Sequence, residues 1–203
     1  MDKSKQNIRG FVKISDVTEK NNPQILVQKE NAIHYENFSQ ALANSVTNRA
    51  TGYIEEMHFG NGGTAVDSTG VITYLTPNNS GANSSLYNQT YFKSINDLSA
   101  LNNDTARNKI VVRHTTGNKF TDIIVTALLD YGEPSGQAAF DNTTTMSDTF
   151  VFDEIALYSW EGTAGEGKLL THVIFHPVQK SLNRLIQIDY TVRIQSLTNF
   201  VDT

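Results

Sequence analysis

Cysteine is absent from this chain of 203 residues, which excludes a disulfide framework and a metal site built on thiolates. Charged residues are also scarce, at 18% of the chain. No apolar run approaches the roughly 18 residues that a membrane-spanning helix needs. The basic N-terminus, MDKSKQNIRG, is not followed by the apolar segment of a signal peptide. We therefore expect a protein that is made in a cytoplasm and has no membrane partner.

Positive charge is scarce as well. The net charge is −5 at pH 7, and the 16 lysines and arginines are spread along the chain. A protein that wraps nucleic acid needs a clustered basic face for the phosphates. We therefore expect no nucleic-acid partner.

Neutral polar residues take the place of the missing charges. The hydrophobic fraction is 38% and the mean hydropathy is −0.35, with Asn, Thr, Ser and Gly filling much of the rest. This composition is typical of a loop-rich β protein, and the length allows one sizeable core. The sequence predicts a mainly β fold, an antiparallel β-sandwich with one amphipathic helix near the N-terminus and long polar loops. Residues 1–30 are predicted to form an N-terminal strand or arm, and residues 31–203 a single sandwich domain.

One segment, at about residues 34–50, changes from alternation to helical spacing. Asn31 is the expected cap and Gly52 the expected stop. Apolar or aliphatic side chains fall three or four residues apart in between. They are Tyr35, Phe38, Leu42, Val46 and, through its stem, Arg49.

The strands are predicted from short alternating runs. GFVKISDV and PQILVQKENAI form one expected hairpin, and KIVVRH and TDIIVTALL form another around TTGN. Further strands are expected in YIEEMHFG, GVITYL, LYNQTYFKSI, FDEIALYSW, LLTHVIFHP and LIQIDYTVRIQ. In the last run, one face is expected to carry Ile186, Ile188, Tyr190, Val192 and Ile194. Residues 77–106 and 132–147 are predicted to be long polar excursions.

His172 and His176 have the i, i+4 spacing that two zinc ligands take on a helix. The surrounding residues, THVIFHP, predict a strand that ends at Pro177. Residues four apart on a strand share a face but are separated by about 13 Å, too far for one metal ion. No glutamate lies between the two histidines, as a zincin motif requires. We expect both histidines on one face of a late strand, against neighbouring strands or at a subunit contact.

The remaining candidates for chemistry have ordinary explanations. The glycines of FGNGG, residues 59–63, lack the Lys-Ser/Thr and the helix of a phosphate loop, and turns with positive φ explain them. Glu55 and Glu56, like Asp153 and Glu154, are adjacent, so on a strand they point to opposite faces. One of each pair is expected to face inward near a loop or to contact an arginine, and the other to be solvated. No GxSxG elbow is present. We expect no enzyme activity, no cofactor and no metal.

The order of the predicted elements is a helix, a strand that runs into GNGG, an Asn-rich excursion and then the later strands. Three patterns accompany it in the C-terminal half. The first is carried by Glu154, Ile155, Leu157 and Tyr158, the second by Leu169, Leu170, Pro177 and Lys180, and the third by Ile188, Tyr190 and Val192. This order and these patterns resemble structural proteins of tailed bacteriophages. The resemblance is closest to the N-terminal attachment domain of tail fibres and to related collar or adaptor proteins, in which a helix precedes a strand ending in a GxG turn. The resemblance spans about residues 32–203.

This resemblance implies a non-enzymatic virion protein made in the host cytoplasm. Fibre proteins continue far beyond this domain, whereas the sequence given stops at Thr203. We therefore expect a ring, collar or adaptor subunit in the neck, tail or baseplate that anchors fibres or binds other proteins. The expected partners are further copies of the chain and neighbouring portal, tail or fibre subunits. Residues 77–106 and 132–147 are expected to order between neighbours, and the N-terminal residues to add a strand to an adjacent sheet.

A second hypothesis is a carbohydrate-binding β-sandwich module for host surface glycans. It rests on four aromatic residues that would stack on sugar rings if they were exposed. These residues are Tyr87, Tyr91, Phe92 and Trp160.

Overall fold

The computed structural model describes residues 4–81, 84–134 and 149–198. These residues form strands and one helix, so the mainly β class is confirmed. The strands in chain order are β1 Ser4–Asp16, β2 Gln24–Ile33, β3 Ile54–Gly60, β4 Thr64–Val66, β5 Ile72–Tyr74, β6 Gln89–Ser94, β7 Lys109–His114, β8 Phe120–Leu129, β9 Thr149–Ser159, β10 Thr171–Ser181 and β11 Ile186–Thr198. The helix, α1, is Tyr35–Val46 and lies between β2 and β3.

Nine strands form one continuous sheet in the order β6-β3-β9-β10-β2-β1-β11-β8-β7. Every pairing in it is antiparallel. The two shortest strands, β4 and β5, form a separate antiparallel pair. Both hairpins predicted from the sequence, β1 with β2 and β7 with β8, are confirmed.

The sheet curls until its two ends meet. Lys93 on β6 donates from Nζ to the carbonyl oxygen of Leu128 on β8, at 2.7 Å. Asp97, just after β6, accepts from the backbone N–H of Ile110 on β7, at 2.9 Å. Strands from opposite ends of the sheet are therefore bridged by side chains and not by a backbone ladder.

The concave side of the curled sheet holds a single main core. Strands from both halves of the sheet contribute to it, as the alternation in their sequences predicts. The buried side chains include Val12, Ile14, Met57, Phe59, Val125, Leu129, Phe152, Ile155, Leu157, Phe175, Ile188, Tyr190 and Val192. The predicted inward face of the last strand is confirmed from Ile186 to Val192, because these alternate residues are buried.

The helix begins where the sequence predicts but ends at Val46 rather than near residue 50. Its cap is His34 and not Asn31, since the His34 ring accepts from the backbone N–H of Asn37 at 3.2 Å. The helix ends before Gly52 because Asn48 already takes a left-handed conformation, with φ 54°.

Only part of the predicted apolar stripe of α1 is buried. Phe38 and Ala41 are buried, and Leu42 packs partly against the core. The two ends of the stripe, Tyr35 and Val46, are exposed. The helix therefore contacts the sheet through its middle turns only.

Pro177 does not end its strand, contrary to the prediction. β10 continues to Ser181, and its register with β9 shifts between Ile174 and Val178. A strand tolerates proline at such an irregularity because no ladder hydrogen bond is required of its nitrogen there.

The N-terminal residues lie inside the sheet. Along Gly10–Asp16, β1 pairs with β11 on one side and with β2 on the other. Adding this stretch to a neighbour's sheet would require breaking one of these ladders.

Candidate functional site

Four carboxylates lie buried on the neighbouring strands β3 and β9. They are Glu55, Glu56, Asp153 and Glu154, none more than 3% exposed. The prediction that one member of each pair is solvated is therefore wrong. The convex face of β9 is covered by the segment around Leu86, which packs on Ala156, Tyr158 and Leu169.

Glu154 fastens two loops to the sheet. Its carboxylate accepts from the backbone N–H groups of Gly62, Tyr87 and Asn88, at 3.1, 3.0 and 2.9 Å. It also contacts Nε2 of the His172 ring at 3.0 Å. One buried anion thus satisfies three loop amides and a histidine, which offsets the cost of burying its charge.

Asp153 holds the beginning of β4 in the same way. It accepts from the backbone N–H groups of Gly63 and Thr64, both at 2.9 Å, and from the Thr64 hydroxyl. The two adjacent carboxyls nevertheless differ in pKa. Burial raises the pKa of Asp153 above its usual value. Burial also acts to raise the pKa of Glu154, but His172 and the amides of Asn88 and Tyr87 outweigh it, so this pKa is lowered.

The other pair of carboxylates holds further loops. Glu56 accepts from the backbone N–H of Gly165 at 2.9 Å and contacts Nε2 of His58 at the same distance. Glu55 accepts from the Ser94 hydroxyl at 2.7 Å and from the Asn96 amide at 3.0 Å. These groups hold loops in place, and their contacts are to protein groups.

The glycines of residues 59–63 are explained by close packing and not by positive φ, contrary to the prediction. None of Gly60, Gly62 and Gly63 is among the residues with positive φ. A Cβ on Gly60 would lie 2.5 Å from the Asn88 carbonyl oxygen and from a Glu154 oxygen. The glycines are needed because another loop and a carboxylate approach their backbone.

His172 and His176 lie in different surroundings. His172 is fully buried, and its Nδ1 accepts from the backbone N–H of Asn78 at 2.8 Å. His176 is exposed, with Nδ1 3.4 Å from the Tyr74 hydroxyl. The irregularity of β10 between Ile174 and Val178 separates their environments.

These contacts also tie down the first part of the predicted excursion 77–106. The segment is held through Asn78, Tyr87 and Asn88, and it then continues into β6. Most of the other predicted excursion, 132–147, lies outside the described residues.

An apolar groove of about 400 Å³ lies where α1, the start of β3, the loop after β6 and strand β7 meet. Its floor is formed by core side chains such as Phe38 and Ile123. Its rim carries Leu98, Val112 and Tyr53, which are 91%, 68% and 39% exposed. An apolar groove with exposed apolar side chains at its rim is a candidate surface for contact with a partner.

Strand β7 borders this groove and is an edge of the sheet, paired only with β8. The N–H of Ile110 points away from β8, to Asp97. Backbone direction alternates along an antiparallel strand, so the N–H and C=O groups of Val112 and His114 point to the same open edge. Within the part of the chain that the structure describes, no backbone group pairs with that edge of Val112 or His114.

A second, polar cleft lies beside β6. Its charged side chains pair with one another: Lys93 with Glu133 at 2.7 Å, and Arg107 with both Asp104 and Asp130. Because these pairs satisfy the charges within the chain, the cleft is a weaker candidate for binding than the apolar groove.

The four aromatic residues proposed to stack on sugars do not form one exposed face. Tyr91 is buried and packs on Phe59. Phe92 stacks on His58, and Tyr87 leans on His172 while its hydroxyl donates to the Thr76 carbonyl. Trp160 is half-buried.

No protein-family model, curated protein or solved structure matches this chain. Among the described residues, no helix has the length and apolar character to cross a membrane. In the same residues, no three or more His, Cys, Asp or Glu side chains are grouped so as to hold a metal ion.

Sequence reasoning missed the groove and the β7 edge. Leu98 is an apolar residue in a mostly polar loop, and Ile110, Val111 and Val112 are consecutive apolar residues in a strand. On a strand two consecutive residues face opposite sides, so one of the valines lies off the core face. These apolar residues off the core face were the sequence signal for an exposed apolar surface.

Proposed function

We propose that this chain is a non-enzymatic structural subunit of a tailed-phage virion. In this proposal it forms a ring, collar or adaptor in the neck, tail or baseplate, mediates protein–protein assembly and anchors fibres. Its partners are further copies of itself and neighbouring portal, tail or fibre subunits. The phage assignment is supported by the sequence patterns that resemble attachment and collar proteins.

The observation that carries an assembly role is the apolar groove with Leu98 on its rim. A side chain of this size at 91% exposure gains free energy when a partner covers it. Leu98 lies in the segment 77–106, which the sequence analysis assigned to assembly contacts.

We also propose that the curled sheet is an antiparallel β-sandwich. One layer would be β6-β3-β9-β10 and the other β2-β1-β11-β8-β7. Support comes from the single core cluster, to which both halves contribute side chains.

The proposal is tested by native mass spectrometry of the purified protein over a range of concentrations, alone and with co-expressed portal, tail or fibre proteins. A closed ring or a complex of fixed composition is expected. A monomer at every concentration that also forms no complex with any of these proteins would contradict the proposal. We do not propose sugar binding, because Tyr91, one of the four aromatic residues on which that hypothesis rested, is buried and cannot stack on a sugar ring.

A further inference from the structure

We propose that the open edge of β7 and the adjoining apolar groove bind an extended acidic segment of a partner protein by strand addition. The proposal rests on the assembly role above only for the identity of the partner as another virion protein. Binding of the segment follows from the edge, the groove and the local charge.

The first feature that favours strand addition is the open backbone edge of β7. The outward N–H and C=O groups of Val112 and His114 are the kind of edge to which an extended peptide adds as a further strand. The neighbouring outward N–H, that of Ile110, is already bonded to Asp97. This bond closes the edge at its start and sets where a peptide's pairing begins.

The second feature is the apolar groove beside β7. Ile110 and Val112 share one face of β7 and both line the groove. An added strand would place every second side chain beside them, over Leu98 and Tyr53. Apolar side chains at those positions would cover the exposed rim and gain the free energy of burial.

The third feature is the charge of the residues on and near β7. The opposite face of β7 carries Lys109, Val111 and Arg113, with both cations exposed. From residue 109 to residue 122, three lysines or arginines accompany one acid, Asp122, which lies opposite Arg113. Asp97 adds a second acid at the start of the edge, beside Ile110. Asp122 is held by the Arg193 guanidinium at 2.7 and 2.8 Å. In a chain of net charge −5, this edge is locally basic and favours acidic residues on the outer face of the added strand.

Together these features specify the ligand as an alternating segment, apolar towards the groove and acidic on the other side. A second copy of this chain fits less well at the same edge. Antiparallel pairing of two β7 strands through their outward groups would set Val112 opposite Val112, Ile110 opposite His114 and Val111 opposite Arg113, with no acid on either strand.

The test uses a fluorescent synthetic peptide of about six residues, a typical strand length, alternating valine and glutamate. Its binding to the full chain is followed by fluorescence anisotropy. The comparison peptide alternates valine and lysine. We expect the acidic peptide to bind at least about tenfold more tightly in low salt, and this preference to shrink as salt is added.

Two variants test the site itself. Val112→Pro removes an outward N–H while leaving the ladder to β8, and Leu98→Asp places a charge on the groove rim. Each is expected to weaken binding of the acidic peptide by about tenfold or more. The matched control is Val46→Asp, which changes an equally apolar and 85% exposed residue that does not line the groove. It is expected to bind like the wild type.

Equal binding of the two peptides, absence of binding, or unchanged binding by Leu98→Asp would overturn the proposal. A wild-type dimer that Val112→Pro converts to monomers would also overturn it, by assigning the edge to a second copy. The result is separable from the assembly role. If the protein forms no virion complex but binds the acidic peptide, the proposed function is wrong and the binding site at β7 stands. If it forms rings but does not bind the peptide, the assembly role stands and the binding site at β7 is wrong.

Discussion

The region around Glu154 and the edge at Val112 differ in how their polar groups are paired. The polar groups around Glu154 are paired with one another, whereas backbone groups at Val112 have no partner within the described chain. Glu154 is a charged group in the interior, and every contact described for it is to another part of the same chain. Val112 is an apolar residue on the surface, beside backbone groups that the described chain leaves unpaired. Buried polar groups here hold the fold together, while the exposed apolar surface is the part for which we propose a partner. The four carboxylates Glu55, Glu56, Asp153 and Glu154 are therefore structural groups that a ligand could not reach from outside.

The largest effect on stability is expected from Glu154→Gln. The substitution keeps the size of the side chain but removes its charge and turns one acceptor into a donor facing loop amides. We expect the free energy of unfolding to fall by about 2–4 kcal/mol, measured by urea denaturation at neutral pH. The matched control is Glu30→Gln, since Glu30 is exposed and pairs only with Arg9 at the surface. A loss as small as that of the control would show that the loops are held by other contacts.

Gly60→Ala is expected to have the next largest effect. The new Cβ would contact the Asn88 carbonyl and the Glu154 carboxylate, so the loop or the carboxylate must shift. The expected loss of unfolding free energy is about 1–3 kcal/mol. Gly132→Ala is the control, because no atom lies within 4 Å of a Cβ placed there, and it is expected to change stability by less than about 0.5 kcal/mol. Equal effects would remove close packing as the reason for Gly60.

The pKa of Glu154 predicts how its contribution changes with pH. Because this pKa is lower in the folded chain than in the unfolded chain, the unfolded state binds more protons at acidic pH. The stabilisation by Glu154 is therefore complete above the unfolded value of about 4.3 and is lost as pH falls through the folded value. The difference in unfolding free energy between wild type and Glu154→Gln should shrink below about pH 4. A difference that grows on acidification would contradict the lowered pKa.

The smallest effect on stability is expected from Leu98→Asp. Leu98 is almost fully exposed, so the free energy of unfolding should stay within about 0.5 kcal/mol of the wild type. Its effect should appear instead in native mass spectra, as loss of the higher complexes that the wild type forms. Val46→Asp should leave the complexes unchanged, while its carboxylate at the last residue of α1 is expected to lower stability by about 0.5–1 kcal/mol. Unaltered complexes in Leu98→Asp would place the assembly contact elsewhere.

Much of the fold follows from local patterns. The two hairpins, the last strand and the helix have side-chain spacings that only one type of element satisfies, and the structure contains each of them. Burial of both carboxylates in each pair could not be predicted in this way. For Asp153 and Glu154 it depends on the loops at Gly63 and Tyr87, and for Glu55 and Glu56 on Asn96 and Gly165. These are contacts between distant parts of the chain.

The course of β10 and the position of the β7 edge could not be predicted from the sequence either. Pro177 predicts a strand end from its missing N–H, but its place at an irregularity in the β9 pairing depends on the partner strand. Whether β7 is an edge depends on the order of all nine strands, which alternation does not specify. The consecutive apolar residues 110–112 leave an apolar side chain off the core face, but similar runs occur in β8 and β10, so they do not mark β7 as an edge.

Amide hydrogen exchange, measured on the isolated protein and again on its assembly or its complex with the acidic peptide, tests the contrast between the two regions most directly. The amides of Gly62, Tyr87 and Asn88, held by Glu154, should exchange slowly in both states. Those of Val112 and His114 should exchange fast in the isolated protein and slowly in the bound one. Fast exchange at Val112 and His114 in the bound state, or their protection in the isolated protein, would contradict the assignment of the β7 edge to a partner.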